Sequence, residues 1–310
     1  MKDFYLGLDV GGTKCAVILG RCGETMEIID RIAFPTEAKK GFDHTIENIY
    51  AAIDEMMARH SLSADNVQAL GISCGGPLNS KTGRVLSPPN LFGWDDIPIV
   101  ELMETRYGIS TALQNDANAC ALAEWRFGAA RGFENVIFCT FGTGMAGEIG
   151  HLRLSEHGPV GFGKEGSFEG FCSGGGIAQL ARTKVLQALP MGVRPSFCPD
   201  VQLLDTLSAK SVAEAAHAGD ELAKSIYREC GFYLGRGLSL LIDIINPEVI
   251  VLGSIYERSG DLLEQAAMEV ISQEAIAASA ACCRIVGAKL GDQIGDYAAL
   301  SVAYEKGLKL

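Results

Sequence analysis

Two apolar runs that each end in a glycine- and threonine-bearing turn constrain this chain more than any other feature. Residues 4–10, FYLGLDV, run into Gly11-Gly12-Thr13, and residues 136–141, VIFCTF, run into Gly142-Thr143-Gly144. Short runs rich in β-branched and aromatic residues and closed by glycine read as strands ending in tight turns. The same strand and turn recurring so far along one chain argue for a duplicated α/β fold.

The elements around the first run are orderly. Residues 4–10, 14–20 and 26–34 read as three successive strands, an antiparallel meander. A helix is predicted over 44–60, where Ile46, Ile49, Tyr50, Ile53, Met56 and Met57 recur at spacings of three and four. A buried strand at 67–73, a helix near 98–106, a strand at 110–114 and a helix from about 117 follow. After the second run come helices near 174–188 and 211–245, a strand at 248–252, a helix near 260–278, a strand at 284–288 and a closing helix at 296–308. No linker rich in proline, serine or charge separates the halves, so two α/β lobes are expected to pack closely around a cleft, a usual place for ligands.

Composition limits what such a cleft can hold. The 310 residues are 48% hydrophobic and 21% charged, an ordinary globular balance. The formal net charge of −12 repels phosphate backbones and acidic bilayers, which argues against nucleic acid and membrane partners and for small molecules. The opening MKDFYLGLDV passes from one lysine directly into a strand pattern, and no run of about 18 apolar residues occurs. Neither a signal peptide nor a membrane span is expected, and the location expected is the cytoplasm. The ten cysteines are scattered through apolar segments without paired spacing or a CxxC, and read as reduced core thiols.

Two stretches carry candidate chemistry. Asp9-Val-Gly-Gly-Thr-Lys14 sets an acid at a strand end, then glycines that permit positive φ and close backbone approach, then a hydroxyl and a cation. Such turns aim several N–H groups at one point and make anion nests; the plain alternative is a tight hairpin whose glycines only satisfy turn geometry. The second stretch, Gln114-Asn115-Asp116-Ala117-Asn118, lies at a strand-to-helix junction. It reads either as a helix cap, which Asn and Asp favour, or as a carboxylate placed to take a hydroxyl proton during phosphoryl transfer.

The strings LGLDVGGTK, GISCGGPLN, SPPNLFGW, NDANACALAE, GTG, AGEIGH and NPEVIVLG, in that order, resemble the ROK family of sugar kinases and related repressors. The resemblance runs from residue 4 to the closing GDYAALSVAYEKG. It implies a two-lobed actin-like (ribonuclease H-like) α/β fold with duplicated mixed-sheet domains and a central cleft. The expected division is residues 1–118 with 296–310 in the small lobe and 119–295 in the large one. It further implies transfer of the γ-phosphoryl group of ATP, with Mg²⁺, to a hydroxyl of a hexose or N-acetylhexosamine, and it favours a homodimer. By the same resemblance Asp9, Gly11, Gly12, Thr13 and Lys14 form one phosphate loop, Thr143 and Gly144 belong to a second, and Gly253 sits near the adenosine. Asp116 is the implied catalytic base, and Gly76, Asn90, Asn115, Asp116, Glu148, His151 and Glu169 the implied sugar-binding residues. Carboxylates and amides suit sugar hydroxyls because they offer bidentate polar partners. Alone, His151 or Glu148 would read as a surface or capping residue.

The chain departs from the family pattern twice. Many members bind a structural zinc through the GH histidine and three cysteines of a CxCGxxGCxE string, which here reads Val160-Gly-Phe162-Gly-Lys-Glu-Gly-Ser167-Phe-Glu169. Zinc needs about four N or S ligands, so no zinc is expected, and packing of Val160 and Phe162 is expected to hold the loop instead. The second departure lies after the GTG turn, where family members carry a further strand and turn, about 15 residues by the length of two short strands. Here Met145 and Ala146 are adjacent. A true deletion and a mobile hairpin omitted from the sequence are the two explanations. Omission is favoured, because loss of a strand would cost more than a domain's marginal stability. A deletion would favour the alternative function, a non-catalytic sugar-binding or regulatory ROK protein.

Overall fold

The structure is a computed structural model that describes residues 3–309 except 24, 143, 144 and 147, with only the backbone defined at 145, 146 and 148. The chain forms two compact units, residues 1–132 with 289–310 and residues 133–288.

In the first unit β1 (Phe4–Val10), β2 (Lys14–Cys22) and β3 (Met26–Pro35) form the expected antiparallel meander. Helix α1 (Phe42–Arg59) buries Ile46, Ile49, Ile53 and Met56, the stripe read from the sequence. Each fully buried aliphatic side chain of this kind contributes roughly 1.5–3 kcal/mol. Then come β4 (Val67–Cys74), the two-residue strands β5 (Leu78–Asn79) and β6 (Arg84–Val85), α2 (Ile99–Tyr107), β7 (Thr111–Asn115) and α3 (Asp116–Phe127). The sheet order is β3-β2-β1-β4-β7, with β1, β4 and β7 parallel. One face is covered by α1, with Leu6, Leu8, Val17, Ile49, Ile53, Leu70 and Ile72 in its core.

The second unit has β8 (Val136–Phe141), β9 (Met145–Ala146), the hairpin of β10 (Val160–Gly161) and β11 (Lys164–Glu165), α4 (Phe168–Cys172), α5 (Gly174–Ala188), α6 (Ala209–His217) and α7 (Glu221–Ile245). It ends with β12 (Val249–Ser254), α8 (Ile255–Glu274), α9 (Ala277–Cys282) and β13 (Arg284–Gly287). The sheet order is β13-β12-β8-β9, with Phe168, Phe171, Tyr227, Leu234, Leu238 and Leu252 in the core on its helical side. The single helix expected over 211–245 is broken. Gly219 takes φ +100, and the Asp220 side chain accepts the Ala223 N–H and starts α7 afresh. Met145 and Ala146 are consecutive residues of one short strand that pairs back on Thr140 and Phe141, so the return after the glycine turn is two residues long.

The chain closes in the first unit with α10 (Ile294–Gly307), which covers the second face of that sheet. The approach is close enough to require glycine: a Cβ on Gly71 of β4 would lie 2.2 Å from the Ala303 nitrogen and 2.3 Å from the Ala299 oxygen. α3 packs on the same helix through Ala119, Ala298 and Val302 and belongs with the first unit along its whole length. All ten cysteines are free. Six are buried as expected, whereas Cys282 is exposed and Cys22, Cys120 and Cys283 are partly so, a correction to the reading of all ten as core thiols. Among the described residues no helix is long and apolar enough to cross a membrane.

Candidate functional site

Parallel pairing brings three strand ends into one row. Val10 of β1 lies opposite Cys74 of β4, and Cys74 lies opposite Asn115 of β7. The residues that follow each strand, Gly11-Gly12-Thr13, Gly75-Gly76 and Asp116, therefore share the carboxyl edge of the sheet, where open α/β sheets bind ligands.

The first turn is tight, and of the two properties expected of its glycines only close approach is used. Neither Gly11 nor Gly12 has a positive φ. Space requires them instead: a Cβ on Gly12 would lie 2.6 Å from Asn90 Cβ, and one on Gly11 would lie 2.9 Å from the Lys14 oxygen. Gly11 N donates to Lys14 O at 3.1 Å, and the Thr36 hydroxyl donates to Gly11 O. Thr13 and Lys14 are exposed beside it. The turn thus abuts Asn90, which joins the phosphate-loop candidates to a sugar-pocket candidate.

Asn115 realises the cap reading of its stretch. Asn115 caps α3, accepting the N–H of Ala117 at 3.1 Å and of Asn118 at 3.4 Å. Asp116, the first residue of the helix, is exposed and accepts the Ala117 N–H at 2.8 Å through Oδ1. Its Oδ2 lies 3.9 Å from where a Cβ on Gly75 would be, and Asn115 Nδ2 lies 3.4 Å from the same position on Gly76, whose bond to Pro77 is cis.

Asp9 is largely buried at the end of β1. Burial first, then the carboxylates of Asp296 and Asp116, push its carboxyl up to about 6 against the pull of Lys14 and Arg31. Asp296 is itself buried at the start of α10, where both its oxygens accept from Arg31 Nε at 2.9 Å. The sequence reading missed Asp296 and Arg31. The first stands in the closing GDYAALS string, and the second, in mid-strand, carries no local signal. Burial, then the Asp116 charge, pushes the thiols of Cys74 and Cys120 up to about 12, so neither is a thiolate nucleophile at neutral pH.

In the second unit the sugar-pocket candidates gather around the β10–β11 hairpin. Glu148 and His151 lie on one 3₁₀ turn. The His151 ring meets the Phe162 ring edge-on at 4.7 Å between centroids, and Lys164 Nζ donates to the His151 oxygen at 2.8 Å. Glu169, in the first turn of α4, lies against the same hairpin: a Cβ on Gly161 would be 2.9 Å from Glu169 Cβ. The expectation that packing of Val160 and Phe162 holds this loop is corrected. They are 44% and 81% exposed. Buried Ser167 ties the loop instead, donating to Gly161 O at 3.4 Å while accepting the Gly170 N–H at 3.0 Å. Gly166 O accepts from both Leu154 and Ser155.

Thr143 and Gly144 lie outside the described residues. Their neighbour Gly142 accepts the N–H of Gly174, the first residue of α5, at 2.8 Å. Gly253 is buried near the end of β12 opposite Thr140. Just beyond it Ile255 lines a cavity of about 290 Å³ together with Lys210, Glu214, His217, Tyr227 and Arg258. Among the described residues no cluster of three or more His, Cys, Asp or Glu side chains is arranged to hold a metal ion.

Comparison with known proteins identifies the relatives of the chain. The glucokinase of Halalkalibacterium halodurans is 32% identical over 284 residues, covering 85% of this chain and 84% of that protein. The solved ROK hexokinase of Thermus thermophilus superposes with a TM-score of 0.76 at 26% identity, over 99% of this chain and 100% of that one. A ROK family glucokinase from Streptomyces griseus, solved with glucose and AMPPNP, superposes with a TM-score of 0.72 at 27% identity, over 97% and 99% of the two chains. These relatives give the α/β units their actin-like assignment. The ROK family profile matches residues 5–146 and 142–306, and the chain belongs to the ROK family.

Proposed function

We propose that this protein is an ATP-dependent sugar kinase that transfers the γ-phosphoryl group to a hydroxyl of a hexose or N-acetylhexosamine. One observation carries the reading: Asp116 stands exposed at the carboxyl edge of a parallel sheet, anchored through one oxygen by Ala117 N–H, with its other oxygen beside Gly75. Among the described residues that second oxygen has no hydrogen bond, so it is available to accept a proton. The sugar hydroxyl oxygen attacks the γ-phosphorus, its proton passes to Asp116, and the bond from the γ-phosphorus to the bridging oxygen of ADP breaks. The relatives named glucokinase and hexokinase support this reaction class.

In this proposal Gly76, Asn90, Asn115, Glu148, His151 and Glu169 serve sugar binding. Asp9, Gly11, Gly12, Thr13, Lys14, Thr143 and Gly144 serve the phosphates, and Gly253 with the cavity beside Ile255 serves the nucleoside. Mg²⁺ typically takes one or two carboxylates, the rest of its shell being phosphate oxygens and water. Asp9, a carboxylate with no hydrogen bond among the described residues, fits such a cation, which when bound would neutralise phosphate charge. We further propose a cytoplasmic homodimer without nucleic-acid or membrane partners, in keeping with the net charge of −12.

A coupled ADP-release assay over glucose, fructose, allose, N-acetylglucosamine and N-acetylmannosamine tests the reading. Sugar-dependent ADP release supports it, and sugar binding without ADP release would replace it with the second reading. That second reading, a sugar-binding protein that does not transfer phosphate, is favoured by one feature: β9 is two residues long, so beyond β12 the backbone of Val136–Cys139 has no second strand partner among the described residues.

A further inference from the structure

Glu124 lies near the end of α3 and is fully buried. Its Oε2 accepts the Ala129 N–H at 2.6 Å, and its Oε1 accepts the N–H groups of Lys289 and Leu290, each at 2.9 Å. Its own backbone oxygen accepts from Gly128 at 3.0 Å and Ala130 at 3.1 Å. The space for the carboxylate exists because residue 128 is glycine: a Cβ there would lie 2.0 Å from Oε2.

The partners of this one side chain are not arbitrary. The first unit ends at Gly132 and resumes at Lys289. Residues 128–130 and 289–290 therefore belong to the two segments by which the chain leaves and re-enters the unit. Lys289 and Leu290 stand 165 and 166 positions from the glutamate. A buried carboxylate is costly unless its lone pairs are filled, and an apolar residue would serve helix packing as well. What only the carboxylate supplies is a tie between two remote segments and the helix that begins at Asp116.

We propose that Glu124 is a positioning residue, which registers both chain crossings to α3 and through that helix fixes the place of Asp116. Its effect on turnover rests on the kinase reading, whereas the tie itself does not. A misplacement of a catalytic group by a fraction of an ångström is enough to slow turnover tenfold or more while binding survives.

Hydrogen exchange of the full chain, read by mass spectrometry for wild type and Glu124→Gln, tests the tie, and steady-state kinetics with the best sugar of the panel test its consequence. The amides of 129–130 and of 289–290 are expected to exchange together about tenfold faster or more in the variant, while β1 and β4 keep their protection. The kcat is expected to fall about tenfold or more with sugar KM within about threefold of wild type. Faster exchange in only one of the two segments, or in neither, overturns the tie. Faster exchange in both with unchanged kcat in an active enzyme overturns the positioning role. Should Glu124→Gln lose protection throughout, Glu124→Asp, which keeps the charge but withdraws it by one methylene, carries the same test, and wild-type exchange there overturns the proposal. A wild type that never consumes ATP defeats the kinase reading alone, since the exchange result still decides the tie.

Discussion

The imidazole of His151 rests edge-on against the ring of Phe162 at 4.7 Å between centroids. Phe162 occupies one of the positions where the family pattern has a zinc-binding cysteine, so an aromatic contact stands where a metal bond would be. Phe162 at the hairpin tip takes φ +46, and the Ser167 hydroxyl bonds at a second lost cysteine position. Purified protein is expected to hold well under one zinc per chain by metal analysis, because a single histidine cannot supply the four ligands zinc requires. Joint replacement Val160→Cys, Phe162→Cys and Ser167→Cys is expected to bring retained zinc close to one per chain. Stoichiometric zinc in the wild type after mild chelation would show the aromatic contact to be incidental.

Asp116→Asn is expected to lower kcat by about a hundredfold or more, because an amide cannot accept the hydroxyl proton. Sugar affinity should change little, since the amide oxygen can still accept the Ala117 N–H that anchors the side chain. Titration calorimetry for sugar binding beside turnover by coupled assay checks both halves. Near wild-type turnover in the variant would remove Asp116 from the reaction.

Asp9 is predicted to make the ligand-free protein less stable as pH rises from about 4 to about 6. Its carboxyl is held up to about 6 in the fold against an ordinary value of 3.8. Within that window the folded chain binds more protons than the unfolded one, so stability falls with rising pH and is level above it. Asp9→Asn should abolish this slope and raise stability at pH 7 by on the order of 1–3 kcal/mol. Thermal melts of the two proteins between pH 4 and 8 measure it, and parallel curves would refute it. The same variant is expected to lose most activity, an instance of a site that trades stability for function.

How legible the molecule was in its sequence depended on whether a feature is local. The strands that end at Val10 and Cys74 are legible to within a residue, because apolar runs closed by glycine leave few other readings. The break between α6 and α7 was missed because the apolar period of 211–245 continues through Gly219, and the Asp220 cap is too small a signal against it. Gly11 and Gly12 are legible as a place for positive φ or close approach, and only the structure separates the two: glycine reports that something special is needed, not whether it is a φ value or room for Asn90. Val160 and Phe162 are apolar, yet a two-residue hairpin strand has too few residues for alternation to say which face is buried. Arg31 with Asp296, and Glu124 with Leu290, are pairs made across 265 and 166 positions, and such pairing leaves no periodicity to read.

Gly12→Ala tests whether the first turn and Asn90 work as one surface. The added Cβ would fall 2.6 Å from Asn90 Cβ and 2.9 Å from the Asn90 oxygen, distances that real Cβ atoms do not tolerate. The turn, the Asn90 segment or both must then move. If the turn serves phosphate and Asn90 serves sugar, one methyl group placed between them disturbs both ligands. KM for ATP and for sugar should each rise about tenfold, in the range that a displacement of up to 1 Å at a binding site produces. The backbone at Gly12 is not in the left-handed region, so alanine adds no φ strain there, and any loss arises from the contact itself. Gly23→Ala is the matched control, since a Cβ there meets nothing within 4 Å. Its kinetics should match wild type. A rise in KM for ATP alone would separate the turn from Asn90, and unchanged kinetics in Gly12→Ala would show that neither group is close to a ligand.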